Sequence, residues 1–176
     1  MTSEQNIGKS QARSEDTQRV VQAFDNLETD EKLALLYFVY KEMGKSITQA
    51  APTATDPELA PLLLGDYFEL SDDQQLAIMR EVVNRADSEY SRAYGALKEN
   101  NQLMVWFAWA QGMGDTVVGM PGDYQLSNAG NDVLNQLKGL DFEGQISMLR
   151  TIASEMGHTD VKPIPTQAET GKTASL

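Results

Sequence analysis

Glu155 and His158 are the residues whose types and spacing come nearest to a metal-binding motif. A Glu-x-x-His pair on a helix provides ligands for a di-iron centre, but that centre needs two such pairs from a four-helix bundle. His158 is the only histidine in the sequence, and there is no cysteine. We therefore predict no metal centre, no Ser-His-Asp triad and no thiol chemistry.

Two further patterns that could carry chemistry have simpler explanations. The segment Gly112–Gly122 is rich in glycine, but it lacks the spacing of a phosphate-binding loop and no strand precedes it. The adjacent carboxylates Asp72 and Asp73 follow Ser71, which puts them in the first turn of a helix, where negative charge is favourable. The sequence therefore does not predict an enzyme.

The segment Asn100–Gly114, NNQLMVWFAWAQGMG, is the strongest candidate for a binding function. It carries no charge, although 23% of the chain is charged, and it holds both tryptophans. A buried core helix is one explanation, but cores favour Leu, Ile and Val because their rotamers define a unique packing. Methionine and aromatic side chains suit a surface that adapts to a flat, elongated ligand. The composition leaves both explanations open.

Helices must position these side chains, because apolar residues recur at the spacing of a helix and no long run alternates. Helix starts are indicated by N-cap residues and first-turn acids, and helix ends by glycine or proline. The start signals are Thr29, Ser71, Ser127 and Asp141, and the stop signals are Gly44, Pro52, Gly139 and Gly157. We predict helices near residues 15–26, 30–49, 56–65, 71–87, 88–97, 101–118, 127–138 and 141–156.

Two parts of the chain are internally similar. The segments Leu27–Gly44 and Leu140–Gly157 align without a gap, with leucines in register at the start and Glu-Met-Gly at the end of both. The segment from Leu70 is either a weaker third copy or an amphipathic helix that shares only the general spacing of apolar residues. A duplicated helical unit predicts two related bundles joined across one interface.

Length and charge limit the classes of function. A chain of 176 residues is most simply one domain. Its net charge of −12 disfavours nucleic acid and anionic membranes as partners. We find no signal peptide and no run of about 20 apolar residues, so we expect no membrane insertion and a cytoplasmic protein. We predict a flexible segment 1–13, a helical domain 14–158 and a flexible tail 159–176.

Five segments in order resemble the N-terminal domain of the orange carotenoid protein, and in particular the stand-alone helical carotenoid proteins of that family. They are LALLYFVYKEMGKSITQAAP (Leu33–Pro52), VVNRAD (Val82–Asp87), VWFAWAQGM (Val105–Met113), MPGDYQLS (Met120–Ser127) and LRTIASEMG (Leu149–Gly157). The resemblance runs from about residue 15 to residue 160. The photoactive relative has a second, α/β domain, which this chain is too short to encode, so we expect no light-driven switch.

The resemblance implies an all-α fold of two interleaved four-helix bundles that enclose a tunnel for one keto-carotenoid, such as canthaxanthin, echinenone or a related xanthophyll. It implies that Trp106 stacks on the terminal ring of this pigment. The residues implied to line the tunnel are Leu33, Tyr37, Tyr40, Met43, Ile47, Met79, Val83, Leu103, Trp106, Phe107, Ala110, Met113, Ile146, Leu149 and Ala153.

The chain departs from the family pattern at two aromatic positions. Tyr37 stands where the family has a tryptophan facing the ring, and Phe107 stands where it has a tyrosine. Both keep aromatic stacking, so we expect changes in colour and affinity rather than loss of binding. Arg150 and Asn100 match positions at the domain interface of the photoactive relative, which makes them either partner-docking residues or plain surface residues.

The function implied by the resemblance is photoprotection by singlet-oxygen quenching, or carotenoid storage and transfer, by a monomer. The implied protein partners are a carotenoid-donor protein and the phycobilisome. Binding to the phycobilisome would place this protein at the thylakoid. Quenching of the phycobilisome is the alternative function, which the charge of −12 makes less favourable. From a different class, a pigment-free helical module could bind an amphipathic helix in a groove open to solvent.

Overall fold

The computed structural model describes residues 15–50 and 60–159, and of residues 45–50 only the helical backbone. The predicted flexible segment 1–13 and the predicted tail from residue 160 onward therefore lie outside the described residues, as does the predicted helix start near residue 56. The predicted domain limits remain a prediction.

Helices form most of the described chain, and apart from an isolated bridge between Met113 and Val117 that part contains no β structure. The predicted all-α fold is confirmed. The helices are α1 (residues 15–25), α2 (Thr29–Ala50), α3 (Pro61–Leu64), α4 (Asp72–Val83), α5 (Glu89–Gly95), α6 (Glu99–Gly112), α7 (Asn128–Lys138) and α8 (Phe142–Ser154), with a 3-10 turn at Asp66–Glu69 between α3 and α4.

The sixth helix, α6, lies at the centre of the fold. It packs against α2 and α8 on one side and against α3 on the other. Helix α5 contacts both α3 and α4, which forms one group of helices on the α3 side of α6. Helix α7 contacts both α2 and α8, which forms the other group. This position explains why α6 is apolar on nearly all faces, with buried residues from Gln102 to Ala110. The joint between the two helix groups runs along α2, α4 and α6.

Local capping signals start three helices where they were predicted. The Ser71 side chain accepts a hydrogen bond from the Gln74 amide and completes a capping box with the Gln74 side chain. The side chains of Ser127 and Asp141 accept from the amides of Gly130 and Gly144 in the same way. Each satisfies a backbone N–H that the first helical turn leaves unpaired.

The predicted cap at Thr29 is wrong by one residue. Thr29 is already the first residue of α2, and the Lys32 amide donates to the carbonyl of Glu28. The Thr29 hydroxyl instead donates to the Asn84 side chain, 2.9 Å away. Gly44 does not end α2, which continues to Ala50.

The predicted helix 101–118 is too long, because α6 ends at Gly112. The chain turns there through Gly114, whose φ of +84° is accessible to glycine and rare for other residues. The amide of Val117 donates to the carbonyl of Gly112, and the amide of Gly114 donates to the carbonyl of Val117. The predicted helix 71–87 also stops early, at Val83, before Arg85 adopts a φ of +57°.

The internal similarity corresponds to two helices that begin in the same register. The aligned positions Thr29 and Phe142 are the first residues of α2 and α8. The buried positions also coincide, since Leu33, Leu35, Val39 and Met43 align with Ile146, Met148, Ile152 and Met156 and all eight are core residues. The copies differ at their ends, because Gly157 takes a φ of +80° beyond the end of α8.

Candidate ligand-binding site

Three adjoining cavities run along the joint between α2, α4 and α6. The mouth cavity, of about 190 Å³, shares Leu33, Met79 and Met113 with the middle cavity, of about 10 Å³. The middle cavity shares Leu36 and Trp106 with the inner cavity, of about 20 Å³. The shared walls fix the order of the three cavities along the joint.

The middle and inner cavities are narrow because side chains fill them. A cavity of about 10–15 Å³ has room for one water molecule. The joint is lined by Met79, Met113 and aromatic rings, and methionine side chains rearrange readily because they are unbranched. The lining residues therefore fit an elongated apolar ligand, provided that the flexible side chains give way.

The structure brings ten of the fifteen predicted tunnel residues to this joint. Those bordering the middle or inner cavity are Leu33, Tyr37, Tyr40, Met79, Leu103, Trp106, Phe107, Ala110, Met113 and Leu149. Met43, Val83, Ile146 and Ala153 are buried in the core without bordering any of the three cavities. The Ile47 side chain lies outside the described residues.

Trp106 separates the middle cavity from the inner cavity and borders both. Its indole Nε1–H donates to the Tyr94 hydroxyl at 2.9 Å, and this hydroxyl donates to the carbonyl of Ala153 at 2.6 Å. The ring of Trp106 also meets the ring of Trp109 edge to face, with centroids 5.1 Å apart. These contacts hold Trp106 from α5 and α6 directly, and from α8 through the Tyr94 hydroxyl.

A second set of contacts holds Trp109 behind Trp106. The Trp109 indole donates to the carbonyl of Leu63 at 2.9 Å, and its ring stacks on Tyr67 with centroids 4.3 Å apart. Tyr67, Trp109 and Tyr94 are fully buried. Burial raises the pKa of the Tyr67 and Tyr94 hydroxyls far above the ordinary value, so both stay protonated and neutral.

On the opposite wall, α2 presents less constrained aromatic side chains. Tyr40 meets Phe107 edge to face, with centroids 5.2 Å apart. Tyr37 is half-buried and borders the middle cavity, with the Lys41 ammonium 5.8 Å from its ring centroid. The two departures from the family pattern, Tyr37 and Phe107, thus both lie on the candidate site.

Two hydrogen-bonded side chains hold the loop that closes the mouth cavity. The buried Gln75 side chain donates to the carbonyls of Tyr67 and Thr116 and accepts from the amide of Val118 at 2.8 Å. Glu31 accepts from the Tyr124 hydroxyl at 2.7 Å and from the Ser127 amide at 2.6 Å. The loop is therefore attached to α4 at one end and to α2 at the other.

The rim of the mouth cavity is polar. Arg80 donates twice to Asp30, at 2.9 and 3.1 Å, while both side chains remain about half exposed, at 47% and 58%. Burial alone would raise the pKa of Glu31, but hydrogen bonds from Ser127 and Tyr124 lower it below its ordinary value. The same hydrogen bond to Glu31 raises the pKa of Tyr124 to about 12.

The two predicted docking residues lie in one groove, away from the cavities. Arg150 and Asn100 both border this groove of about 650 Å³, together with Lys98 at the start of α6. The Nε atom of Arg150 is buried and has no hydrogen-bond partner among the described residues.

Sequence reasoning missed several residues of the site. Leu36 borders two cavities and follows Leu33 at helical spacing, which could have identified it. Trp109 borders the middle cavity, but α6 is apolar on nearly all faces, so its sequence does not indicate which face borders a cavity. The mouth residues lie in an irregular loop, where no periodicity exists to indicate them; they are Val118, Gly119, Met120, Pro121 and Tyr124.

The fold and the site define the class of this protein as an all-helical domain with an internal apolar site between two groups of helices. A profile of the family described as "Orange carotenoid protein, N-terminal" matches residues 10–159. An orange carotenoid-binding domain-containing protein of Nostoc sp. is 40% identical over 138 residues, which cover 78% of this chain and 81% of that relative. The chain belongs to the family of the orange carotenoid protein N-terminal domain.

Solved structures of relatives share the fold. The red carotenoid protein of Anabaena (Nostoc) sp., solved binding canthaxanthin, matches with a TM-score of 0.71 and 39% identity, over 81% of this chain and 99% of that one. The orange carotenoid protein of the same organism, also solved binding canthaxanthin, matches with a TM-score of 0.73 and 33% identity. This chain spans 46% of that protein and 43% of the 36% identical orange carotenoid-binding protein of Synechocystis sp..

Two negative findings concern the described residues alone. Their helices include none that combines the length and apolar character needed to cross a bilayer. They also contain no group of three or more His, Cys, Asp or Glu side chains that could hold a metal ion.

Proposed function

We propose that this chain binds one keto-carotenoid in the space between α2, α4 and α6. The observation that carries the proposal is the row of three adjoining cavities, lined by apolar and aromatic side chains that neighbouring cavities share. The red carotenoid protein, 39% identical, was solved binding canthaxanthin, which makes this pigment the first to test.

The three cavities follow α2 from Asp30 to Tyr40, a length of about 16 Å at 1.5 Å per residue. A xanthophyll is about 30 Å long, so the cavities would hold about half of it, and α2 continues beyond them to Ala50. A pigment lying along α2 would pass the mouth, middle and inner cavities in turn. Burying the polyene supplies the binding energy, at roughly 25 cal/mol per Å² before the costs of association.

The rigid and flexible parts of the site have different roles in this proposal. Trp106 keeps its position and stacks on the pigment, because its indole is hydrogen-bonded and packed on Trp109. Met79 and Met113 move aside to widen the middle cavity. Tyr40 and Phe107 separate to open the inner one. Aromatic contacts contribute about 0.5–1.5 kcal/mol each beyond the buried area.

The bound pigment supplies the photochemistry, and the protein supplies a dry and rigid site. We propose photoprotection by quenching of singlet oxygen, or storage and transfer of the carotenoid, as the role of the loaded protein. Quenching of phycobilisomes requires a docking surface as well, and the groove with Arg150 and Asn100 is the proposed contact for that antenna or for a carotenoid-donor protein.

Purification from a bacterial host that makes canthaxanthin tests the binding proposal. We expect a broad, red-shifted carotenoid band that co-elutes with the protein at about one pigment per chain. The protein purified from the same host without the pigment genes is the control, and titrating it with canthaxanthin gives the affinity. A folded but colourless protein from the canthaxanthin host would overturn the proposal and favour the pigment-free interaction module.

A further inference from the structure

We infer that Tyr94 is a positioning residue for pigment binding, because its hydroxyl fixes the ring of Trp106 where the middle and inner cavities meet. Tyr94 is on α5 and does not border any of the three cavities. It acts through Trp106 and not by touching the pigment. The inference rests on the proposed function and extends it to a residue behind the cavity wall.

The geometry of the Tyr94 hydroxyl gives the indole a single acceptor at a fixed point. The hydroxyl proton is committed to the carbonyl of Ala153 on α8, at 2.6 Å, so its lone pairs are free to accept from Trp106 at 2.9 Å. The Tyr94 main-chain carbonyl accepts from the Gln102 side chain at 3.1 Å, which ties α5 to α6 beside the same contact. Tyr94 is fully buried, so water does not compete for its hydroxyl.

This hydrogen bond has a chemical consequence for the ligand. An indole has one N–H donor and no acceptor. Since Tyr94 takes the only donor of Trp106, that ring offers the cavities an apolar surface and no hydrogen bond. Trp106 then contacts a pigment by stacking and dispersion alone, and a carbonyl on the terminal ring finds no partner there.

Tyr67 offers a matched control for Tyr94. Both tyrosines are fully buried and both belong to the row of rings that includes the two tryptophans. The Tyr67 hydroxyl donates to the carbonyl of Gln75 at 3.4 Å, whereas the Trp106 indole donates to Tyr94. Tyr67→Phe therefore removes a buried hydroxyl from the same core, while the Trp106 indole keeps its acceptor.

The experiment compares canthaxanthin binding by the wild type, Tyr94→Phe, Tyr67→Phe, Trp106→Phe and the double variant Tyr94→Phe with Trp106→Phe. Ultraviolet resonance Raman spectra of the indole N–H report the hydrogen bond directly, and the visible circular dichroism of the bound pigment reports its surroundings. We expect Tyr94→Phe to shift the indole band, change the pigment spectrum and weaken binding about tenfold, which is the effect of losing about 1.4 kcal/mol.

Tyr67→Phe should leave the pigment spectrum and affinity as in the wild type. In the Trp106→Phe background, adding Tyr94→Phe should change neither further, because Tyr94 acts through the indole. If Tyr94→Phe and Tyr67→Phe weaken pigment binding equally, or if the effects of Tyr94→Phe and Trp106→Phe add in the double variant, the proposed role of Tyr94 is overturned. The proposed function would stand in both cases, because the wild type still carries pigment. A wild type that takes up no canthaxanthin would overturn the proposed function, and this inference with it.

Discussion

Filling the middle cavity should block pigment binding without unfolding the protein. Ala110 is 8% exposed, lies on α6 and borders this cavity opposite Leu33 and Tyr37 of α2. Ala110→Leu adds three carbon atoms to a space of about 10 Å³, which is too small to receive them. Overpacking of this kind costs about 1–3 kcal/mol, and a domain with 5–15 kcal/mol of stability remains folded.

Ala108→Leu makes the same change on the same helix and is the matched control. Ala108 is half-buried and does not border the three cavities. Both variants are produced in the canthaxanthin-making host, and the ratio of visible to protein absorbance is measured after gel filtration. We expect the Ala110 variant to lose at least nine-tenths of its pigment, since about 1.4 kcal/mol already changes binding tenfold, and the Ala108 variant to keep it.

An Ala110 variant that binds pigment at the wild-type ratio with an unshifted band would refute this prediction. The pigment would then not pass between α2 and α6 at the middle cavity. Far-ultraviolet circular dichroism and thermal melting of the pigment-free forms separate this outcome from unfolding. Both variants should keep the wild-type helical signal.

Three further predictions concern the elements that surround the site. In urea titrations, Gly157→Ala should lower the free energy of unfolding by about 2–4 kcal/mol, because the residue has a left-handed φ and the new Cβ would lie 2.5 Å from Cδ1 of Tyr94. The aligned variant Gly44→Ala is the control and should change this free energy by about 1 kcal/mol or less, because Gly44 lies in a regular helix and its Cβ would be 3.0 Å from the Tyr40 ring. Gln75→Leu should cost about 2–4 kcal/mol in the same assay, since it leaves the buried carbonyl of Tyr67 and the half-buried amide of Val118 unpaired, and a loss under 0.5 kcal/mol would contradict that account. The pKa of Tyr124 is raised to about 12, so its contribution to stability is complete below its ordinary pKa near 10 and is lost as the pH rises through about 12. The pKa of Glu31 is lowered, so its contribution is present above its ordinary pKa and is lost as the pH falls through the lowered value. Tyr124→Phe should remove the loss on the alkaline side of a stability profile and reduce the loss on the acid side, because Glu31 keeps the Ser127 amide but loses the Tyr124 hydroxyl; an unchanged alkaline limb would refute the assignment.

Helix starts could be predicted from the sequence because capping is local. Ser71, Ser127 and Asp141 each accept from an amide three residues onward, and a pattern of that length is visible without knowing the fold. The end of α6 was not predictable in this way. Its apolar pattern continues past Gly112, but the Gln75 side chain, distant in the sequence, holds the following residues in a turn.

The face of a helix that borders the site was harder to predict than the helix itself. On α8, Leu149 borders the inner cavity, whereas Ile146 and Ala153 are core residues of the same apolar type. The hydrophobicity of a residue indicates that its side chain is buried, but it does not indicate whether that side chain borders a cavity or packs against other core residues. Ala153 illustrates the difference, since its carbonyl holds the Tyr94 hydroxyl while its methyl group borders no cavity of the site.

The unusual composition of α6 follows from the two different surfaces that it presents. Toward α3 and α5, the indoles of Trp109 and Trp106 donate hydrogen bonds to Leu63 and Tyr94, and such bonds fix the rings because a buried N–H without a partner is costly. Toward α2, Phe107 has no polar atom, so nothing but packing fixes it. A ligand entering between the helices must displace side chains from one wall, and the wall without hydrogen bonds is the one that yields at least cost. The tryptophans therefore give the site its shape, and the residues facing α2 give it room.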